Sequence, residues 1–372
     1  MTDPTTRTPT GPEETLPQHS LPQHSLPRYV DALWAAAIAG DEYGATDVVF
    51  AALDAGVDPE AVLLDVVGAV QRRVGREWAA NRISVAQEHT ATAIDERVVG
   101  AVGHRVRTEP HRGRIAVACV DGEWHALPAR LLAEVLRLRG FRVDYLGAQV
   151  PAPHLVEHLQ RTAPEAVALS GSIATRLPTA HATITACRAT GVPVIAGGAA
   201  FGSDGHYARL LGAEAWAPDA RAAADRLAAG PLPRPQNSTQ AIDDLPHLGD
   251  QEYTMVTRTT PQLVKAVYTG LEQRLPVMAR YTEQQRQHTA EDLEHIVQFL
   301  ATALYTGDDE LFGRFLSWTA EILEARSVPP GFLVPALDLL GAELRDFPRA
   351  TALLEGARAQ LAASIIGARE SA

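Results

Sequence analysis

The sequence predicts three folded units in a row: a four-helix bundle, a doubly wound α/β domain around a parallel sheet, and a second, all-helical domain. Three observations carry this. A length of 372 residues suits two or three domains of ordinary size. The apolar period is helical from Arg28 to about Arg107, turns at Arg114 into short apolar runs alternating with amphipathic stretches, and is helical again from about residue 248. A Pro-rich stretch, GPLPRPQNSTQ, separates the second unit from the third. The expected boundaries are a tail at 1–27, the bundle at 28–110, the α/β domain at 111–230, a linker at 231–247 and the last domain at 248–372.

The tail repeats LPQHS at 16–20 and 21–25 and is rich in Pro, Thr and Gln, so it cannot bury enough apolar area to order itself. In the bundle, breaks fall at Gly40–Asp41, Gly56–Pro59 and Asn81–Ser84. Asp58 before Pro59 is an N-cap followed by a preorganised first helical residue, and Ser84 with Gln87 has capping-box spacing. The strands are read at 114–120, 142–146, 165–170, 193–196 and, weakly, 214–217. Five strands alternating with helices predict a flavodoxin-like (Rossmann-type) domain. Helical periodicity in the last domain breaks at Gly307–Asp308, Pro329–Gly331 and Phe347–Pro348.

Composition narrows the function. Hydrophobic residues make up 46% and charged residues 21%, which excludes a fibrous or fully disordered chain. No run of about 18 uncharged apolar residues occurs, and the first residues have neither a basic start nor an apolar block, so a cytoplasmic protein without a membrane role is expected. The net charge of −12, with Lys265 the only lysine, argues against nucleic acid as a partner, because phosphate neutralisation needs a concentrated basic surface. The two cysteines, Cys119 in a strand-like run and Cys187 in a helix-like one, read as reduced core residues rather than a disulfide framework or zinc site.

In an open parallel sheet, ligands bind beyond the carboxyl ends of the strands. Strand one runs into Asp121-Gly122-Glu123-Trp124-His125, strand three into Ser170-Gly171-Ser172, and strand four into Gly197-Gly198, so all three reach one edge. Each is weak alone, since a loop His is usually solvated and glycines punctuate turns. Together, Glu123-x-His125, Ser170 and Gly197-Gly198 resemble the motif of cobalamin-binding domains, Asp/Glu-x-His-x-x-Gly, Ser and Gly-Gly. The resemblance implies His125 as the lower axial cobalt ligand, Glu123 on its other nitrogen, Ser170 at the displaced benzimidazole tail, with Ser172 in the same loop, and Gly197 and Gly198 leaving room for the tail against the backbone. Pro128 stands where the motif usually has Gly, which implies a differently shaped tail pocket.

The stretch Trp78-Ala-Ala-Asn-Arg-Ile-Ser-Val-Ala-Gln-Glu88-His89 resembles the Trp-x9-Glu-His signature of light-sensing adenosylcobalamin proteins, best known in cobalamin-dependent repressors. There the Trp packs beside the adenosyl group and the Glu and His lie above the corrin, so the resemblance implies His89 as an upper cobalt ligand after light removes the adenosyl. The rival reading is a core Trp78 and an exposed helix start in which Glu88 complements the macrodipole. The familiar repressors carry an N-terminal helix-turn-helix; here only the tail precedes the bundle, so a non-DNA output is expected.

In the last domain, His288, Asp292 and His295 share one helical face, with Tyr281 upstream and Phe299, Tyr305, Phe312, Phe315 and Trp318 nearby. Such a face can hold a bilin between apolar walls and polar anchors. The whole arrangement resembles the photocobilins, photoreceptors that combine cobalamin with biliverdin, and this implies a globin-like last domain with Tyr281, His288, Asp292 and His295 at the bilin. No cysteine follows Cys187, so biliverdin would be held there without a thioether. The alternative is a helical dimerisation domain whose aromatics are core. The expected function is thus a non-enzymatic light sensor using adenosylcobalamin and biliverdin, assembling as a homo-oligomer under light control and acting on a separate effector. A corrinoid methyl carrier serving a methyltransferase is the second reading, and a cobalamin store the third.

Overall fold

A computed structural model describes residues 26–235 and 245–370, with side chains described through residue 363. The expected tail, up to residue 25, and most of the expected linker lie outside the described residues.

The bundle comprises α1 (Leu26–Ala39), α2 (Glu42–Asp54), the short α3 (Pro59–Ala61), which runs through a π-helical stretch at Val62–Val67 into α4 (Gly68–Ala79), and α5 (Val85–Arg105). Helix α1 starts inside the expected tail because Pro27 fits a first turn and Leu26 packs on the bundle. The caps fall where the sequence places them. The Asp58 carboxylate accepts from Ala61 N at 3.0 Å, and Ser84 and Gln87 form a reciprocal capping box. Leu33, Val49, Val62, Val66, Val70, Ile94 and Val98 fill the core. The π stretch is not evident in the sequence, since Val62, Leu63, Val66 and Val67 stay buried through it as they would in a regular helix.

The α/β domain has β1 (Arg114–Cys119), α6 (Leu127–Leu138), β2 (Arg142–Gly147), α7 (Ala152–Thr162), β3 (Ala166–Ser170), α8 (Leu177–Ala189), β4 (Val194–Gly197), α9 (His206–Leu210), β5 (Ala215–Ala217) and α10 (Ala220–Ala228). All pairings are parallel and the strand order is 2-1-3-4-5, the flavodoxin-like doubly wound order. Side chains alternate between faces along β1. Ile115, Val117 and Cys119 join the core shared with α6, α10 and the bundle, whereas Ala116, Ala118 and Val120 join a core shared with α7, α8 and the last domain.

The last domain comprises α11 (Glu252–Arg274), α12 (Glu283–Thr306), α13 (Asp309–Ala325), α14 (Leu333–Glu343) and α15 (Pro348–Glu370). All three expected breaks occur, with Gly307 left-handed at φ 67° closing α12. A further break, the 3-10 turn Pro276–Arg280, was not expected; the Thr282–Gln285 capping box restarts the chain after it. The stretch expected to be a linker is anchored at both ends: Leu232 is buried in the bundle-side core, Leu245 in the other, and Pro246–Asp250 forms a 3-10 turn.

The last domain docks on the α/β domain through a hydrogen bond between His181 Nδ1 and the Tyr305 hydroxyl at 2.7 Å, and through Asp308, which accepts from Tyr207 and from Arg314. It also meets the bundle, where Arg326 lies over the Trp78 ring at 5.0 Å. Among the described residues no helix is long and apolar enough to cross a membrane.

Candidate functional site

The site grows from the loop after β1. Gly122 takes φ 76°, which turns the chain so that Glu123 points inward and is 1% exposed while His125 stays 55% exposed. Glu123 Oε1 accepts from His125 N at 2.9 Å and from His125 Nδ1 at 2.6 Å, and Oε2 accepts from Ser172 N at 2.7 Å and Ile173 N at 3.2 Å. A carboxylate only accepts, so Nδ1 carries the proton and Nε2 is the nitrogen left to ligate. Burial would raise the Glu123 carboxyl, but the His125 and Ser172 donors outweigh it and hold it at about 2. The same bond raises His125, with Glu88 adding to the effect across the domain boundary.

Trp78 is half-buried at the end of α4, and Glu88 and His89 occupy the first turn of α5. His89 is exposed, and its Nδ1 contacts Glu88 Oε2. Beside the histidine loop, a cavity of about 570 Å³ opens between α4, α6, α10 and the carboxyl ends of β3, β4 and β5. Ser170, Gly197 and Gly198 line it. A Cβ on Gly198, at φ 97°, would lie 2.3 Å from the Gly171 carbonyl oxygen, so only glycine lets the wall lie this close. Pro128 lines the cavity too, in the first turn of α6, where a missing N–H breaks no helical bond.

Ser172 contributes its backbone N–H to Glu123. On α12, His288, Asp292 and His295 come together as the periodicity predicts. Burial raises the Asp292 carboxyl, and His295, His288 and Arg326 lower it. Phe299 stacks on Phe315 at 3.8 Å, and Trp318 is 48% exposed nearby. Tyr281 lies just before α12, at the end of the 3-10 turn Pro276–Arg280, and is partly buried against the core of the last domain. Gln71 and Arg326 escaped sequence reasoning, because their placement depends on contacts between distant segments.

Among the described residues no group of three His, Cys, Asp or Glu could hold a metal ion. A lone accessible imidazole suits a metal that arrives with its other ligands already in place, and the adjoining cavity suits a bulky appendage of that ligand.

Comparison with known proteins agrees with this geometry. Residues 113–227 match the B12 binding domain family, and residues 29–102 match a second family of B12 binding domains. The chain therefore carries a cobalamin-binding module spanning bundle and α/β domain. It is 31% identical over 175 residues to the HTH-type transcriptional repressor CarH of Myxococcus xanthus, covering 46% of this chain and 57% of that one. It is 24% identical over 143 residues to trimethylamine corrinoid protein 1 of Methanosarcina acetivorans, covering 37% and 65%. The chain thus spans less than two thirds of these relatives. Among solved structures, the Methanosarcina barkeri monomethylamine corrinoid protein aligns with a TM-score of 0.47 at 20% identity, over 55% of this chain and 98% of that one.

Proposed function

We propose that this protein is a light sensor built on adenosylcobalamin, with biliverdin as a second pigment in the last domain. The observation that carries the reading is the His125 imidazole held by Glu123 beside the cavity, with the Trp78-x9-Glu88-His89 stretch at the end of α4 and the first turn of α5 in the bundle that walls the same cavity. Bound adenosylcobalamin supplies a cobalt–carbon bond that light can cleave. His125 Nε2 would ligate the cobalt, its ring orientation and tautomer fixed by Glu123. Ser170, Gly197 and Gly198 hold the tail in the adjoining cavity. Trp78 flanks the upper group. His89, whose Nδ1 contacts Glu88, would offer its Nε2 to the cobalt of a bound corrinoid, and giving up the Glu88 contact would carry a local change into the first turn of α5.

For biliverdin, His288, Asp292 and His295 on α12 would supply polar anchors and Phe299, Phe315 and Trp318 apolar walls, with binding through non-covalent contacts. We keep the globin-like description of this domain as part of the same proposal. The output is a change in contacts between copies of the chain and with an effector protein, rather than catalysis or DNA binding.

The test is the absorption spectrum of protein reconstituted with adenosylcobalamin, in the dark and after green light. A shift that persists in the dark and disappears in Trp78→Ala supports the proposal. The similarity to trimethylamine corrinoid proteins favours a methyl carrier as the second reading, which predicts methylcobalamin turnover with a partner methyltransferase and indifference to Trp78.

A further inference from the structure

Gln71 lies on α4 at the bundle side of the cavity, and its Oε1 is buried without a hydrogen-bond partner among the described residues. A buried acceptor left alone is costly, so its orientation needs a cause. The cause is a chain of hydrogen bonds. Glu88 also receives the Thr92 hydroxyl, at 3.2 Å on Oε1, and an ionised carboxylate has only acceptors. The Thr92 hydroxyl therefore donates to Glu88 and can only accept from Gln71, whose Nε2 lies 2.8 Å away. That fixes the amide and leaves Oε1 buried without a partner in a residue that lines the cavity.

We propose that Gln71 is a corrinoid-recognition residue, presenting an acceptor to a neutral amide N–H on the rim or tail of the cofactor, with Thr92 and Glu88 setting its orientation. Such an acceptor favours an amide over a carboxylate at the same place, where two sets of lone pairs would meet. The inference rests on the cobalamin module but not on the light response. It also joins the tail cavity to the Glu88–His89 pair through one line of hydrogen bonds, so a change of partner at Glu88 frees the Gln71 amide to turn.

The test is titration of the full chain with hydroxocobalamin in the dark, with melting curves of the free and loaded forms. Gln71→Leu should bind roughly tenfold more weakly. Its free form should melt at or above the wild-type temperature, because a buried orphan oxygen has gone. Thr92→Val should weaken binding by a smaller factor, and the double variant should be no weaker than Gln71→Leu alone. Equal affinity of Gln71→Leu and wild type overturns the proposal. So does a loss of stability as large in the free protein as in the loaded one, which would make Gln71 a structural residue. A wild-type chain that fails to bind hydroxocobalamin overturns the cobalamin reading itself, and this inference with it.

Discussion

Glu123 does two jobs with one carboxylate: it orients His125, and it ties the loop after β1 to the loop after β3 through Ser172 and Ile173. Glu123→Gln keeps the shape but places an amide N–H against donors, so cobalamin affinity should fall about 10- to 100-fold and the melting temperature should drop; titration and calorimetry read the two effects. His125→Ala should abolish lower ligation, seen as loss of the base-off, His-on spectrum, with little effect on the fold of the free protein, since the ring is largely exposed. Asp95 is the opposite case. It is fully buried in α5, has no hydrogen-bond partner among the described residues, and burial pushes its carboxyl up to about 8. The folded state therefore keeps a proton that the unfolded chain releases near pH 4. Stability from this group is complete below that pH and is lost as pH rises toward 8. Asp95→Asn should flatten the decline in melting temperature between pH 5 and pH 8. The placing of Glu123, His125, Ser170 and the glycine pair at one edge of the sheet was legible in the sequence because each ends a strand or lies in the loop after one. Gln71 and Asp95 were not, because their chemistry is set by what other helices do or fail to offer them.

At the level of elements, α4 and α13 end against each other and exchange caps. Arg326 Nη atoms approach the Trp78 and Ala79 carbonyls at 3.5 and 3.4 Å, and Asn81 Nδ2 reaches the Ala325 carbonyl at 3.4 Å. Each contact is long, but a cation at a helix C-terminus is favourable, and the guanidinium also covers the Trp78 indole. Arg326→Ala should cost about 1 kcal/mol of stability and shift Trp78 fluorescence, measured in a chain whose other tryptophans are phenylalanine. Arg326→Lys should recover part of both. The ends of α4 and α5 were readable from Asn81 and the Ser84–Gln87 box, since caps are local signals. The pairing of α4 with α13 joins residues about 245 positions apart, and no period or spacing reports it. The turn at Pro276–Arg280 was missed for a related reason: apolar residues before it and inside it, Leu271 and Met278, stay buried and mask the interruption.

Across the whole molecule, the parallel sheet is a wall between two cores, one shared with the bundle and one shared with the last domain. The order of the three units was visible in the change of apolar period. Their fusion was not, because the strand faces that join each core differ by single alternating residues such as Val117 and Ala118. A chain cut after residue 235 should expose the apolar surface around His181 and Tyr207 that the last domain covers and aggregate, as light scattering would show. The same fusion places the last domain where movement at Trp78 would reach it directly. The light response proposed here depends on Trp78, Glu88 and His89. Its most direct measurement is the absorption spectrum of the full chain loaded with adenosylcobalamin, before and after green illumination, in wild type and His89→Ala. The account predicts a light-driven shift in both, with the long-lived lit spectrum lost in His89→Ala. An unchanged spectrum after illumination of the wild type would contradict it.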